Sequence, residues 1–452
     1  MGSSGGEGKD DWYAELVQRM HTPSFLVDND ACVNSTIIKV IRVEGMNKQV
    51  ILLEVVQVLA DLNLMITKAN MSFDGEWFMD VFHVTDADGN KLQGKKVINK
   101  IQESLATKAS FLPSVMSSLG VMPSKMLTSI ELTGADRPGL LSEVCAVLKD
   151  MKCNVVEAEV WTHNKRTAAV VRVTDESSGL AIENTERIST IKELLGNVLR
   201  GIDEAMTGKT MVSMGIIHTQ RRLHQMLSAE RDYERVGLAG SENETFRPHV
   251  SVSHCIEKDY SVVTLRSKDR PKLLFDTLCA LTDMQYMVFH GTVITKGVEA
   301  WQEYYIRHIN GSPISSETET KRVIQCLEAA IERRACEGLE LELQTEDRVG
   351  LLSDITRIFR ENGLSIRRAE ISTKGGKAVD TFYVSDASGN HVDAKTIDSI
   401  HRQITQIGKT VLRVKGNPHL SFKPPAGTTG FLFGNLLKAC SFQSFKLIRS
   451  YS

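Results

Sequence analysis

GADRPGLLSEVCAVL, residues 134–148, compresses a turn, a helix start and an apolar helix face into one line. The chain writes nearly the same line as SKDRPKLLFDTLCAL over 267–281 and again as TEDRVGLLSDITRIF over 345–359. In the first of these, Leu140, Leu141, Val144, Val147, Leu148 and Met151 recur at helical spacing, which predicts an amphipathic helix directly after the turn. Upstream, MLTSIEL (126–132) reads as a strand. Downstream, in NVVEAEVW (154–161), Val156, Ala158 and Val160 alternate with Glu157 and Glu159 as a half-buried strand requires. HNKR (163–166) then reads as a turn, TAAVVRVTD (167–175) as a strand, TIKELLGNVLR (190–200) as a second helix, and a last short strand closes the unit. The order β-α-β-β-α-β predicts an α+β fold of ferredoxin-like type, an antiparallel sheet with both helices on one face.

The unit is repeated. Residues 300 apart match: Asn47 with Asp347, Leu52 with Leu352, Ala69 with Ala369, Asp80 with Asp380, Phe82 with Phe382, Val84 with Val384, and Gly89-Asn90 with Gly389-Asn390. Asp136 and Asp269 add two inner copies at the turn, and Ala69, Ala158, Gly291 and Ala369 put a small residue at one matching place in all four. The expected modules span 36–112, 126–208, 259–335 and 338–416. They leave an N-terminal extension (1–35), a helical and flexible linker (209–258) and a C-terminal tail (417–452). The extension offers a helical pattern around Trp12, Leu16 and Met20. The linker contains HTQRRLHQMLSAERDYERV, a helix, and then GLAGSENETFRP, a flexible join. The apolar tail FLFGNLLKACSF is expected to dock on the protein itself, because a membrane-surface helix needs a strongly basic polar face.

Composition narrows the function. At 452 residues, 42% hydrophobic, the chain can build three or four ordinary cores. Its 54 Lys and Arg against 56 Asp and Glu give a net charge of -2, no field for a phosphate backbone, so nucleic acid is not expected as a partner. Eight cysteines are scattered without a C-x-x-C pair and no secretory apolar region opens the chain, which predicts a reducing cytoplasmic or nuclear location. No apolar run reaches spanning length, and Gly6 stands where a myristoylation signal needs Ser or Thr, so no membrane partner is expected. Metal ions and cofactors are not expected either. TDADGN (85–90) opens like a calcium loop, but Lys91 and Val97 occupy the places of its glycine and its final glutamate. His249, His254 and Cys255 have no second ligand cluster at zinc spacing. GGK at 375–377 lacks the rest of a phosphate loop, and no G-x-S-x-G, H-E-x-x-H or Rossmann glycine pattern is present, so no enzyme activity is expected.

The turn is the candidate site. Asp136 is expected to cap the helix and Pro138 to sit in its first turn, while Gly139, without a Cβ, leaves a small depression beside early helix N–H groups. Such a place suits a carboxylate or, on a purely structural reading, a close-packed backbone. D-R-P-G-L-L after a strand, an apolar helix, and N-V before a small mid-strand residue together resemble the ACT domain, a regulatory module that typically binds amino acids at interfaces between paired copies. Four copies from about Thr36 to Val414 without a catalytic domain resemble the plant ACT-domain-repeat (ACR) proteins. Paired copies of the same kind end the bacterial uridylyltransferase that senses glutamine, whose catalytic domains need far more than the roughly 35 residues available before the first copy here.

The resemblance implies ligand roles for Asp136, Gly139, Leu140 and Asn154, and for Asp347, Gly350, Leu351 and Asn362. At the glycine position the first copy has Val50 and the third Lys272, side chains that would project where a carboxylate approaches. The reading that follows is a non-enzymatic amino-acid-binding regulator, with nitrogen or glutamine signalling as one setting, whose modules pair within the chain or as a homo-oligomer. The alternative is a protein-interaction scaffold that keeps the fold without a ligand.

Overall fold

Alternation along the strands builds the units. In the second copy, β6 (Cys153–His163) and β7 (Arg166–Asp175) form an antiparallel hairpin in which Val160, Ala169 and Val171 are buried on the face that carries the helices. Strand β5 (Thr128–Ala135), α3 (Leu140–Asp150), α4 (Thr185–Arg200) and β8 (Lys209–Ser213) complete the copy. The fourth copy repeats it with β13 (Leu339–Glu346), α8 (Leu351–Glu361), β14 (Leu364–Lys374), β15 (Lys377–Asp386), α9 (Ala394–Thr405) and β16 (Val411–Lys415). Helix α8 buries Leu351, Leu352, Ile355, Ile358 and Phe359 along one stripe, each contributing about 1.5–3 kcal/mol of apolar burial. The computed structural model describes residues 24–43, 48–73, 77–109, 127–200, 208–213, 218–234, 247–255, 259–335, 338–407 and 410–415. The expected N-terminal helix, the turn at Asn47, nearly all of the flexible join and the C-terminal tail lie outside the described residues.

The first copy has β2 (Thr36–Val43), α1 (Lys48–Asp61), β3 (Met65–Phe73), β4 (Trp77–Thr85) and α2 (Lys95–Ala109). The third has β10 (Tyr260–Lys268), α6 (Leu273–Asp283), β11 (Tyr286–Lys296), β12 (Glu299–His308) and α7 (Glu317–Glu332). Their edge strands differ from the expected order. β1 (Ser24–Asp28) pairs with β2, and β9 (His249–Cys255) pairs with β10, so each edge strand precedes its copy instead of closing it. β1 therefore falls in the stretch read as an N-terminal extension, and β8 and β9 in the stretch read as linker. The physical requirement is the same from either direction: the first strand of each unit needs an antiparallel neighbour for its outer row of N–H and C=O groups.

The copies pair alternately. One eight-stranded sheet runs β1-β2-β4-β3-β11-β12-β10-β9 and joins the first copy to the third; the other runs β16-β13-β15-β14-β6-β7-β5-β8 and joins the fourth to the second. At the seams the repeated small residues meet bulky partners: Ala69 faces Val293, Gly291 faces Met71, Ala158 faces Ile371 and Ala369 faces Val160. A larger side chain at these places would meet its neighbour; a Cβ on Gly291 would come 3.1 Å from the Met71 Cε. Helix α3 lies against α8 across one seam and α1 against α6 across the other. The linker helix, α5 (Thr219–Ala229), packs its Leu223, Met226 and Leu227 on Trp161, Ala168 and Val170, on the sheet face opposite the helices of the second copy.

Candidate functional site

The turn before α3 is built by backbone geometry rather than by the expected aspartate cap. Gly139 is the N-cap, at φ 82° in the left-handed region, with no side-chain cap hydrogen bond. The Leu140 N–H donates to the Arg137 carbonyl at 3.2 Å, so Pro138 lies in the turn and not in the first helical turn. This fold-back carries Asp136 to the sheet, where its Oδ1 accepts from Thr167 Oγ1 at 3.3 Å and burial pushes its carboxyl above the ordinary range. Gly350 repeats the geometry at φ 77°, and Lys272 holds the same left-handed place at φ 64°, a conformation that costs a non-glycine residue about 1–2 kcal/mol. In each turn the arginine folds onto an acid six residues on: Arg137 on Glu143 at 2.7 Å, Arg270 on Asp276 at 2.7 Å and Arg348 on Asp354 at 2.5 Å.

Pairing of the second and fourth copies closes a hollow over each glycine. Asp136, Gly139 and Leu140 line one together with Phe359, Arg360, Leu364 and Ile366 from the fourth copy. Asp347, Gly350 and Leu351 line the other together with Leu148, Lys149, Cys153 and Asn154 from the second. The expected residues are thus regrouped. Asn154 belongs with the turn of its partner copy, not with that of its own. Asn362 lines neither hollow; it caps the end of α8, its side-chain amide donating to the Ile358 carbonyl at 2.8 Å.

A cation from the facing copy lies over each glycine. A Cβ on Gly139 would come within 2.7 Å of Arg360 Cδ, and one on Gly350 within 2.7 Å of Lys149 Cε. Arg360 and Lys149 occupy matching places 211 residues apart, near the ends of α8 and α3. The exposed Arg360 guanidinium has no ion-pair partner within 4 Å among the described residues, while Lys149 Nζ stands 3.4 Å from Asp354 Oδ1. Sequence reading passed over both residues, because a basic residue in the last turn of a helix is ordinary complementation of the helix dipole. With the side chains in these positions the free volume in each hollow is about 30 Å³, the room of one water.

The third turn is committed differently. Ala60 stands where the cation would come from the first copy, and Lys272 supplies the charge from the turn itself, its Nζ donating to Gln220 of the linker helix at 3.1 Å. Asp276, beyond this turn, is fully buried among Arg270, Arg334 (2.9 Å) and His224 Nε2 (2.8 Å). Arg333 donates to His224 Nδ1 at 2.9 Å and clasps Asp232, which also meets His163 at 2.9 Å. Arg334 stacks 4.6 Å over the Trp161 ring. Because Arg333 can only donate, His224 must be neutral with its proton on Nε2; burial, against the pull of Asp276, brings its pKa down to about 4. His163 has a carboxylate at each ring nitrogen, and Asp232 with Glu332 overrides burial to raise its pKa.

Family models describe the same modules. The ACR family N-terminal ACT domain matches residues 31–111, and the ACT domain matches 128–187 and 340–404. Among Arabidopsis thaliana proteins, ACT domain-containing protein ACR4 is 58% identical over 98% of this chain and 98% of its own length. ACT domain-containing protein ACR6 is 56% identical over 95% and 99%, and ACT domain-containing protein ACR5 is 53% identical over 98% and 98%. Four units of one fold, three of them matched by these models, and such identity over nearly the full length lead to one conclusion: the chain belongs to the ACR family of ACT domain-containing proteins.

Proposed function

We propose that the protein is a non-enzymatic regulator that binds free amino acids in the two hollows between its second and fourth copies. The observation that carries this reading is Arg360, a cation without an ion-pair partner among the described residues, held over a left-handed glycine by the facing copy. A ligand carboxylate needs a cation and an open backbone approach in one place, and the seam supplies both. Entry requires the Arg360 arm to leave the space above Gly139 and turn its guanidinium to the incoming carboxylate; Lys149 does the same at Gly350. Asp136, Leu140, Asp347, Leu351 and Asn154 line the hollows around it, whereas Asn362 acts through the end of α8.

The third turn favours the scaffold reading for its own half of the molecule. Its cation is tied to the linker helix, and its acid is the hub of a buried network, so it docks α5 rather than a small ligand. The protein would then combine a ligand-binding pair with a pair that holds a partner surface, in the cytoplasm or nucleus, and glutamine and nitrogen status are the first ligand and setting to try.

A thermal-shift screen of the purified protein against the common amino acids tests the reading. A ligand raises the melting temperature by mass action. Gly139→Val and Gly350→Val should each reduce that shift. A shift indifferent to both substitutions would remove the hollows from consideration and leave the scaffold.

A further inference from the structure

The two hollows of the second sheet are made of matching residues, and they differ in polarity at two neighbouring places on the floor, Thr167 against Ala378 and Ala169 against Asp380. Residues 211 apart correspond: Asp136 with Asp347, Gly139 with Gly350, Val160 with Ile371, Arg360 with Lys149 through the exchange of copies. By the same spacing, Ala169 in the first hollow stands where Asp380 stands in the second. Ala169 leaves a floor of Leu132, Val144, Val160 and Phe359, and the Thr167 and Thr356 hydroxyls beside it are already engaged, donating to Asp136 and to the Leu352 carbonyl. Asp380 is 1% exposed. Its Oδ1 has one long hydrogen bond, from the Ser372 N–H at 3.4 Å, and among the described residues no cation pairs with it. A second acid, Asp347, lines the same hollow.

A buried carboxylate without a cation is costly, and such groups are retained where something completes them. Burial and the neighbouring Asp347 push the Asp380 carboxyl up to about 7, so near neutral pH it can accept a hydrogen bond as soon as a donor arrives. Lys149, over the turn, is engaged with Asp354 and serves the other end of a ligand. The third hollow has Gln302 at the corresponding floor position, its Nε2 without a hydrogen-bond partner among the described residues, so a polar floor recurs there.

Resting on the amino-acid reading above, we propose that the hollow at Gly350 takes an amino acid whose side chain ends in an N–H donor, amide or ammonium, with Asp380 as its acceptor, whereas the hollow at Gly139 takes an apolar side chain. Asp380 and Ala169 are the residues that determine the difference.

Calorimetric titration of the full chain tests this with glutamine, asparagine, lysine and arginine as donor probes and leucine, isoleucine, valine and phenylalanine as apolar ones. Asp380→Ala should weaken the donor probe that binds by about tenfold or more, leave the apolar probe bound at the Gly139 hollow unchanged, and raise its stoichiometry from one site towards two. Retained apolar binding shows that the variant is folded. Ala169→Asp should reduce apolar binding in return. Donor affinity within twofold of native in Asp380→Ala overturns the assignment, even where Gly139→Val and Gly350→Val still abolish binding; that pattern rejects the selectivity alone. If no probe binds the native chain, the amino-acid reading falls and this inference with it.

Discussion

Arg360 of the fourth copy lies across Gly139 of the second, and Lys149 of the second lies across Gly350 of the fourth, each so close that a Cβ on the glycine would come within 2.7 Å of the side chain. Each helix therefore starts at one hollow and ends at the other. α3 begins at Gly139 and carries Lys149, while α8 begins at Gly350 and carries Arg360.

Gly139→Val forces a β-branched residue into the left-handed region and its side chain into the Arg360 methylenes. The expected loss is about 1–3 kcal/mol of stability together with loss of ligand at that hollow. Urea denaturation and calorimetry on the same preparation measure the two effects. Full stability would mean that the turn relaxes and that the left-handed glycine is not required.

Arg360→Ala should leave the fold intact, since the side chain is exposed and forms no ion pair among the described residues. It should weaken ligand by about 1.5–3 kcal/mol, the range of a charge-assisted hydrogen bond. Arg360→Lys should recover part of the loss, and added salt should weaken the native complex more than the Ala variant. Unchanged affinity would show that the carboxylate is held elsewhere.

Asp276→Ala leaves Arg270 and Arg334 buried without their shared carboxylate and His224 without its acceptor. Breaking such a group from one side costs about 3–5 kcal/mol, read as a lowered urea midpoint. The two histidines of the same network respond to pH in opposite senses. His224 is held below its ordinary value, so its contribution is present above about pH 6.5 and is lost as pH falls towards 4. His163 is held above that value, so its contribution is present below about pH 6.5 and fades as pH rises through the raised value. His224→Gln should flatten the acid side of the melting-temperature profile; an unaltered acid side would assign that loss to other groups.

Asp380 gives a third titration of opposite sign to an ordinary paired carboxylate. Its folded-state pKa, about 7, lies above the unfolded value, so the folded chain binds the extra proton and loses stability as pH rises from about 4 to 7. Asp380→Asn should match the native protein near pH 4 and exceed it at pH 8, by at most about 4 kcal/mol. Equal melting temperatures at pH 8 would mean that the carboxylate is already satisfied when ionised.

The module and the number of its copies are legible along the chain. Alternation in 154–161, the helical spacing of Leu140, Val144, Val147 and Leu148, and the match of residues 300 apart are local or periodic properties, set by backbone geometry and by which side of a strand or helix must leave water. The turns are legible too, because a left-handed N-cap favours glycine wherever the fold places it. What the turns face depends on how the copies pair. Nothing along the chain says that the second copy pairs with the fourth and the first with the third, since the small residues Ala69, Ala158, Gly291 and Ala369 mark a seam without naming the partner across it. Sequence grouped Asn154 with Asp136, and pairing moved it to Asp347; sequence chose Asn362, and the helix end claimed it. Arg360 and Lys149 look like ordinary helix-terminal cations until the facing copy brings a glycine beneath each, and Asp380 looks like an ordinary strand residue until the fold buries it. The two cations owe their chemistry to proximity across a seam between residues some two hundred positions apart in the chain, and Asp380 owes its own to burial beside Asp347; both are properties of the packed structure.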